Sequence, residues 1–339
     1  MSENLIEQIV SELKQTGQAL YPDQIELRNV RVVGHTPRND HYIYDIVIDF
    51  SHGSERLAAK VYRSAKSGPQ GASKLAEMEA GNVRYAYEIF KKKKLSGVPR
   101  PLGDFSHIGA VVTEKLSGLP LQSIIMKAAL LPGYANHESL SHAARQAGGW
   151  LRGFHRATAD MQSPLDGPAL LAELEAVCES CRGEGLDNEA IKVILSGARG
   201  ILARTKKSAP NSAVLNDFTP LNVMVCEQGM GFSDFARMAV RGNSLQDVAI
   251  FLAAVEALEK YPFCNRAITV QLQDEFVEAY GLNQQEKALV RVLKMKALLG
   301  MFAQGRNGKE SAIRKKIMWA TVMKRFIQQA AQRSMAPAA

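Results

Sequence analysis

A chain of 339 residues that is 46% hydrophobic and 22% charged, with a net charge of +8, has the composition of a folded globular protein, which excludes a disordered or fibrous one. The longest apolar run near its middle, Val248 to Val255, is far short of the roughly 18 residues that span a bilayer. The N-terminus, Met1-Ser2-Glu3-Asn4-Leu5-Ile6-Glu7, is acidic and polar where a secretory signal is basic and then apolar, so a cytoplasmic location is expected.

In chain order, apolar positions Leu5, Ile9 and Leu13 recur at helical spacing until Tyr21-Pro22-Asp23 breaks the pattern, so a short leading helix is predicted. From Ile25 to Arg63 the period falls to two, which predicts three antiparallel strands. Their connections would be the long polar stretch Gly34 to Asp40 and the turn His52-Gly53-Ser54. A flexible Ser64 to Ser73 would then lead into a helix from about Lys74 to Lys94, whose lysine-rich end suits a helix C-terminus. Val98-Pro99-Arg100-Pro101 stops it, and Gly109 to Glu114 reads as a further strand. Beyond Leu121 the period is helical, around 137–159, 168–182, 188–206, 244–258 and 271–330, interrupted by one non-helical island from Val214 to Phe235. The length, about twice that of a typical domain, fits this division into a small sheet-rich part and a larger helical part, joined near Glu114 to Gly118.

Four cysteines are too few for a disulfide scaffold and fit a reducing compartment. Cys178 and Cys181 form a C-x-x-C that could be half a zinc site or a redox dithiol, but no second pair stands at metal spacing, and a helix interior is the better reading. The charge is unevenly placed. From Tyr261 onward there are 13 Lys/Arg against 5 Asp/Glu, whereas residues 1–260 hold 29 of each. Such a segment attracts phosphate, anionic lipid or nucleic acid, or is a solvated helical face. The interleaving of Lys315, Lys316, Trp319, Lys324, Arg325 and Phe326 favours the solvated face.

The island carries the chemistry. It reads Leu215-Asn216-Asp217-Phe218-Thr219-Pro220-Leu221-Asn222-Val223, then Gly231-Phe232-Ser233-Asp234-Phe235, polar residues flanked by apolar runs. A buried polar loop is costly unless its groups have partners, so a reaction site is the economical reading, against the alternative that the aspartates only form turns. Asp217, Asn222 and Asp234 offer the hard oxygens that magnesium prefers.

The spacing D-x-x-x-x-N followed by D-F resembles the catalytic and metal-binding segments of the protein-kinase-like superfamily, and its wording is similar to the aminoglycoside phosphotransferase and choline kinase branch. Ala59-Lys60-Val61-Tyr62, Thr113 to Leu121, Trp150-Leu151-Arg152-Gly153-Phe154-His155 and Asp247-Val248-Ala249 agree with that branch in order and spacing, over roughly residues 25–285. The resemblance implies an α+β, two-lobed kinase-like fold: an antiparallel-sheet nucleotide lobe over 1–116, and a helical lobe over 117–339 with the catalytic loop and acceptor site. It implies ATP and Mg2+ as cofactors and a small-molecule hydroxyl as phosphate acceptor. Asp217 would orient the hydroxyl and take its proton; Asn222 and Asp234 would hold the metal. Lys60 would contact the α/β-phosphates, fixed by a helix glutamate, Glu79 in first place and Glu77 in second. Glu114, Lys115 and Leu116 would meet adenine, the loop from Gly34 to Asp40 would cover the phosphates, and Asp247 would brace the catalytic loop. His155 reads as a packing or capping residue. The family commonly has histidine and glycine where this chain has Leu215 and Asn216, and its nucleotide loop is richer in glycine.

Cationic acceptors such as aminoglycosides call for carboxylates, and a segment carrying a surplus of eight positive charges would repel them. The expected acceptor is therefore a neutral or anionic sugar, or a glycan or lipid-linked intermediate, with an anionic membrane surface as a candidate contact for the basic C-terminus. The alternatives are an aminoglycoside-type resistance kinase and a pseudokinase-like nucleotide-binding scaffold. Nucleic acid has no support beyond the basic tail, because stacking aromatics and recognition motifs are missing. The sequence fixes no oligomeric state.

Overall fold

Alternation of apolar side chains in the first third of the chain builds a four-stranded antiparallel sheet in a computed structural model that describes residues 2–130, 136–182, 186–206, 208–261, 264–306 and 324–335. The chain divides into two compact units: Met1–Gly118 with Cys226–Met238, and Leu119–Val225 with Ala239–Ala339.

In the first unit, β1 (Leu27–Pro37), β2 (His41–Phe50), β3 (Ser54–Tyr62) and β4 (Ala110–Glu114) lie in that order. Period two sends Tyr44, Ile46, Ile48 and Phe50 of β2, Leu57, Ala59 and Val61 of β3 and Ala110 and Val112 of β4 to one face. The leading helix α1 (Ser2–Leu20) covers that face with Ile9 and Leu13. Tyr62 and Val111 belong to the opposite face, packed against Ala72 and Ala76 of α2 (Ser64–Lys93).

Two expectations are corrected here. The stretch Ser64 to Ser73 is helical: Pro69 falls in the first turns, where its missing N–H costs least, and Gly68, at φ 71°, turns the breaker pair into a kink within α2. The polar connection Gly34 to Asp40 is largely strand, with Gly34 opposite Asp45 and Pro37 opposite Tyr42, so the turn shrinks to Arg38–Asp40. Pro37 is tolerated because β1 is an edge strand, and Gly34, just past a register shift at Val32, has neither a positive φ nor a close neighbour that would require glycine.

The second unit is mostly helical: α3 (Leu121–Leu130), α4 (His137–Ala157), α5 (Gly167–Ser180), α6 (Asn188–Arg204), α7 (Leu245–Glu256), α8 (Arg266–Tyr280), α9 (Gln284–Arg306) and α10 (Lys324–Met335). Asn136, Asp166, Asp187 and Asn265 cap α4, α5, α6 and α8 with their side-chain oxygens. Strand Asn211–Val214 pairs antiparallel with Ala239–Asn243. Stacked Phe251 and Phe276, 4.0 Å between centroids, mark the aromatic centre of this unit, where they meet Phe218. Gly148 lets α4 approach α8 closely: a Cβ there would stand 2.5 Å from the Phe276 carbonyl oxygen.

The single helical stretch expected over 271–330 is broken. Gly281, at φ 81°, ends α8 with its amide on the Val277 carbonyl, and Asn283 and Glu286 exchange side-chain-to-backbone hydrogen bonds of 2.9 Å to open α9. Residues 307–323, with Lys315, Lys316 and Trp319, lie outside the described residues. Phe326, Ile327, Ala330 and Ala331 are buried, so the apolar side of α10 is spent inside its unit. Cys178 is buried on α5, and burial pushes its thiol up to about 12, as befits a helix interior. No helix among the described residues is long and apolar enough to cross a membrane.

Candidate active site

In the first unit the site begins with one lysine. Lys60 of β3 extends from the sheet face that α2 covers, and its Nζ lies 3.1 Å from Glu79 Oε1 and 3.0 Å from Asp234 Oδ1. Glu79, 2% exposed on α2, also accepts from the Tyr62 hydroxyl at 2.6 Å and from the Phe235 amide at 3.3 Å. Glu77 is exposed, so α2 directs its second candidate glutamate away from Lys60. Burial works against the charge of Lys60, yet the two carboxylates hold its pKa above the ordinary lysine value. Burial likewise opposes ionisation of Asp234, but Lys60 and the Ala236 amide hold its carboxyl below the usual range. Glu79 goes the other way, because desolvation outweighs the pull of Lys60.

Two residues that sequence reasoning missed complete this arrangement. Asn82, one helical turn past Glu79, donates to the Phe235 carbonyl at 2.9 Å and the Met238 carbonyl at 3.1 Å, tying the segment after Asp234 to α2. Tyr62 shares the Lys60 face of β3. Periodicity of three and of two, applied outward from Glu79 and Lys60, is the signal that finds them. His41 is paired with Tyr62 in the sheet; burial and the Lys60 charge lower its pKa, while Asp40 accepts from its ring at 2.8 Å.

The end of β4 holds the three residues expected at adenine. The Glu114 amide donates to the Arg100 carbonyl at 2.9 Å and the Lys115 amide to the Arg56 carbonyl at 2.8 Å, so both are engaged within the fold. The Lys115 ammonium pairs with Asp45, and Arg100 reaches Glu114 Oε1 at 2.8 Å while lying over the Tyr21 ring. The Leu116 side chain rests against Gly231, where a Cβ would come within 2.9 Å of it. Gly34 lies in β1, not in a loop.

In the second unit the loop 215–222 is held from both sides. The Leu215 and Asn216 amides donate to Asp247 Oδ2 and Oδ1 of α7, each at 2.7 Å, and Asp247 is fully buried. Asn216 adopts φ 57°, a left-handed conformation that glycine takes freely and asparagine tolerates, which accounts physically for asparagine at this position. The Asp217 carbonyl accepts from the Thr219 amide at 2.7 Å and from Asn222 Nδ2 at 3.1 Å. Pro220 accepts from the Gln122 amide, and Phe218 stacks on Trp150 at 5.8 Å. Asp217 therefore projects from a loop whose backbone is fixed on both flanks.

Each unit by itself offers a side chain of the hard-oxygen kind that a divalent cation prefers. In the first unit Asp234 is held ionised, with Lys60 and the Ala236 amide both bonding Oδ1. In the second unit Asn222 donates from Nδ2 to the Asp217 carbonyl, so the loop itself orients a carboxamide of the hard-oxygen kind.

Residues 53–292 match the model of the phosphotransferase enzyme family. No curated protein matches. Among solved structures, a thermostable mutant of the aminoglycoside phosphotransferase APH(4)-Ia is 13% identical over 92% of this chain and 96% of its own, with a TM-score of 0.52. Choline kinase LicA from Streptococcus pneumoniae is 14% identical over 98% and 99%, at 0.51, and a glucosamine kinase is 15% identical over 93% and 97%, at 0.50. At these identities the likeness carries the fold: the α+β kinase-like class, with its antiparallel sheet and helical part.

Proposed function

Since the chain belongs to the phosphotransferase enzyme family and is therefore an ATP-dependent kinase of small-molecule hydroxyls, we propose that it phosphorylates a neutral or anionic sugar, glycan or lipid-linked intermediate, with Mg2+ as its metal. The observation that carries the kinase reading is the Lys60 ammonium held between Glu79 and Asp234, a compact, oriented cation of the kind that nucleotide phosphates need. Lys60 binds the α/β-phosphates and Glu79 sets its position. Asp217 orients the acceptor hydroxyl and takes its proton as the oxygen bonds to the γ-phosphorus; the bond from phosphorus to the bridging oxygen breaks, and ADP leaves. Asn222 and Asp234 are the residues that would hold the metal, which supplies neutralisation of phosphate charge when bound. For the base, Leu116 is the favoured amide donor among the three residues of its segment, because those of Glu114 and Lys115 are used within the fold.

The acceptor class rests on charge. Arg266, Lys294, Lys296 and Arg333 are paired with Glu259, Glu256 and Glu173, and the segment from Tyr261 onward still holds 13 Lys/Arg against 5 Asp/Glu. A second reading, a cationic amino-sugar acceptor, is favoured by one observation: Asp274, Glu275 and Glu278 line an open depression along α8. The test is Mg2+-dependent ATP consumption by the full chain with neutral sugars, sugar phosphates, glucosamine, choline and an aminoglycoside, with Asp217→Asn alongside. Transfer to a neutral or anionic acceptor, lost in Asp217→Asn, is expected. Preference for a cation overturns the acceptor class, silence with ATP bound means that the acceptor is absent from the panel or that the protein is a nucleotide-binding scaffold, and failure to bind ATP overturns the role of Lys60.

A further inference from the structure

The bonds that hold the Asp217 loop do not end at Asp247. His155, near the end of α4 and 5% exposed, places Nε2 3.1 Å from Asp247 Oδ2, the oxygen that also accepts the Leu215 amide. Its Nδ1 lies 2.9 Å from the hydroxyl of Tyr280, the last residue of α8. Asp247 already accepts two amides, so Nε2 is the donor toward it, and Nδ1 is left to accept from Tyr280. Burial, followed by the Asp247 charge and against a hydrogen bond with Ser244, pushes the Tyr280 phenol up to about 12, which keeps the hydroxyl proton in place for that bond. One hydrogen-bonded line thus joins α8, α4 and α7 to the two amides immediately before Asp217.

We propose that His155 and Tyr280 are positioning residues for phosphoryl transfer, setting the orientation of the Asp247 carboxylate and through it the backbone from which Asp217 projects. The proposal rests on the reading of Asp217 as the acceptor's base. Its physical content is a division of labour at one carboxylate. Two amides alone fix Asp247 only as far as the loop is itself fixed. A third donor from a different helix, whose ring is locked at its other nitrogen, supplies a reference independent of the loop. Leu215 has no polar side-chain atom to take that part from within the loop.

The experiment uses the full-length protein with His155→Phe, His155→Gln and Tyr280→Phe, beside Asp217→Asn. Three readouts are taken: amide hydrogen exchange over the peptide containing residues 215–217, kcat and KM for MgATP hydrolysis with water as acceptor, and the melting temperature. His155→Phe is expected to speed exchange at Leu215 and Asn216 about tenfold or more and to lower kcat about tenfold, with KM for MgATP changed less than about twofold. His155→Gln keeps a donor of similar reach toward Asp247, so it should recover part of kcat, and Tyr280→Phe should fall between it and wild type.

A lower melting temperature with unchanged exchange and unchanged kcat would reduce both residues to packing and overturn the proposal. If His155→Phe does not fold, Tyr280→Phe and His155→Gln carry the same test, and unaltered exchange in both overturns it. Full turnover by Asp217→Asn removes the assignment of Asp217 while leaving the exchange measurement to decide the positioning role.

Discussion

Asn216 offers the sharpest test of how the loop before Asp217 is built. Its φ of 57° is open to glycine, tolerable for asparagine, and costs an ordinary side chain about 1–2 kcal/mol, with β-branched residues the worst case. Asn216→Val therefore imposes a cost near the upper end, about 2 kcal/mol, so long as the amide keeps its 2.7 Å bond to Asp247. The chain can escape this strain only by rotating the peptide, which gives up a hydrogen bond to a charged group worth about 1.5–3 kcal/mol, so neither route is cheaper. For a unit of this size 2 kcal/mol is a fall of ~4–8 °C in melting temperature. If the strain is relieved by displacing Asp217, turnover falls about 30-fold. Asn216→Gly should stay within about twofold of wild type, because freedom from the Cβ offsets the larger entropy of the unfolded glycine. Thermal melting and ATP turnover of the three proteins decide the matter. Equal behaviour of Val and wild type refutes the backbone argument, and damage from Gly as large as from Val moves the cause to the asparagine amide group.

Other outcomes follow from the same geometry. Asp234 is depressed chiefly by Lys60 against its burial, so the pair's contribution is present above the unfolded aspartate pKa of about 3.9 and is lost as pH falls through the lower folded value. The raised Lys60 sets the opposite edge: its contribution is present below about 10.4 and is lost as pH rises through the folded value. Carboxyl NMR titration should find Asp234 below the usual range in wild type and above it in Lys60→Met, where burial acts unopposed; an unchanged value in the variant contradicts the assigned cause. Gly148→Ala would bring a methyl to 2.5 Å from the Phe276 carbonyl oxygen, and forcing α4 and α8 apart should cost about 1–3 kcal/mol. A melting curve identical to wild type would mean that the helices accommodate it.

The sheet, most helices and the two polar segments were legible because each is written in local period or in short spacing. The start of α2 was not, since Gly68 and Pro69 signal a break whether they end a helix or only bend it. The length of β1 was hidden by the polar wording of residues 34–37, which follows from their place on a sheet edge. Motif spacing pointed to Lys60, Glu79 and Asp234 in the first unit and to Asp217 and Asn222 in the second. It passed over Asn82 and Tyr280 and gave Tyr62 no role, because their partners are set by tertiary packing: Asn82 bonds residues 153 and 156 positions away, and Tyr280 bonds His155 across 125. His155 read as a packing residue for the same reason, because its two bonds join helices that local sequence does not relate.

The first unit is discontinuous, and that has a consequence for biosynthesis. Lys60 waits 174 residues for Asp234, and Glu79 waits 156 for the Phe235 amide. At about 5–20 residues per second, a ribosome leaves the four strands and α2, complete at Glu114, without Asp234 for about 6–24 s. During that interval the burial site of Glu79 is incomplete and Phe232 and Phe235, both fully buried in the finished protein, are not yet made. A nascent chain ending near Gly118 thus holds every strand of the sheet and still lacks part of its core, so folding of this unit is completed only after the first two hundred and more residues have been synthesised. A fragment cut at the apparent boundary inherits the same defect permanently, and a self-sufficient version of the unit must carry residues 226–238 with it.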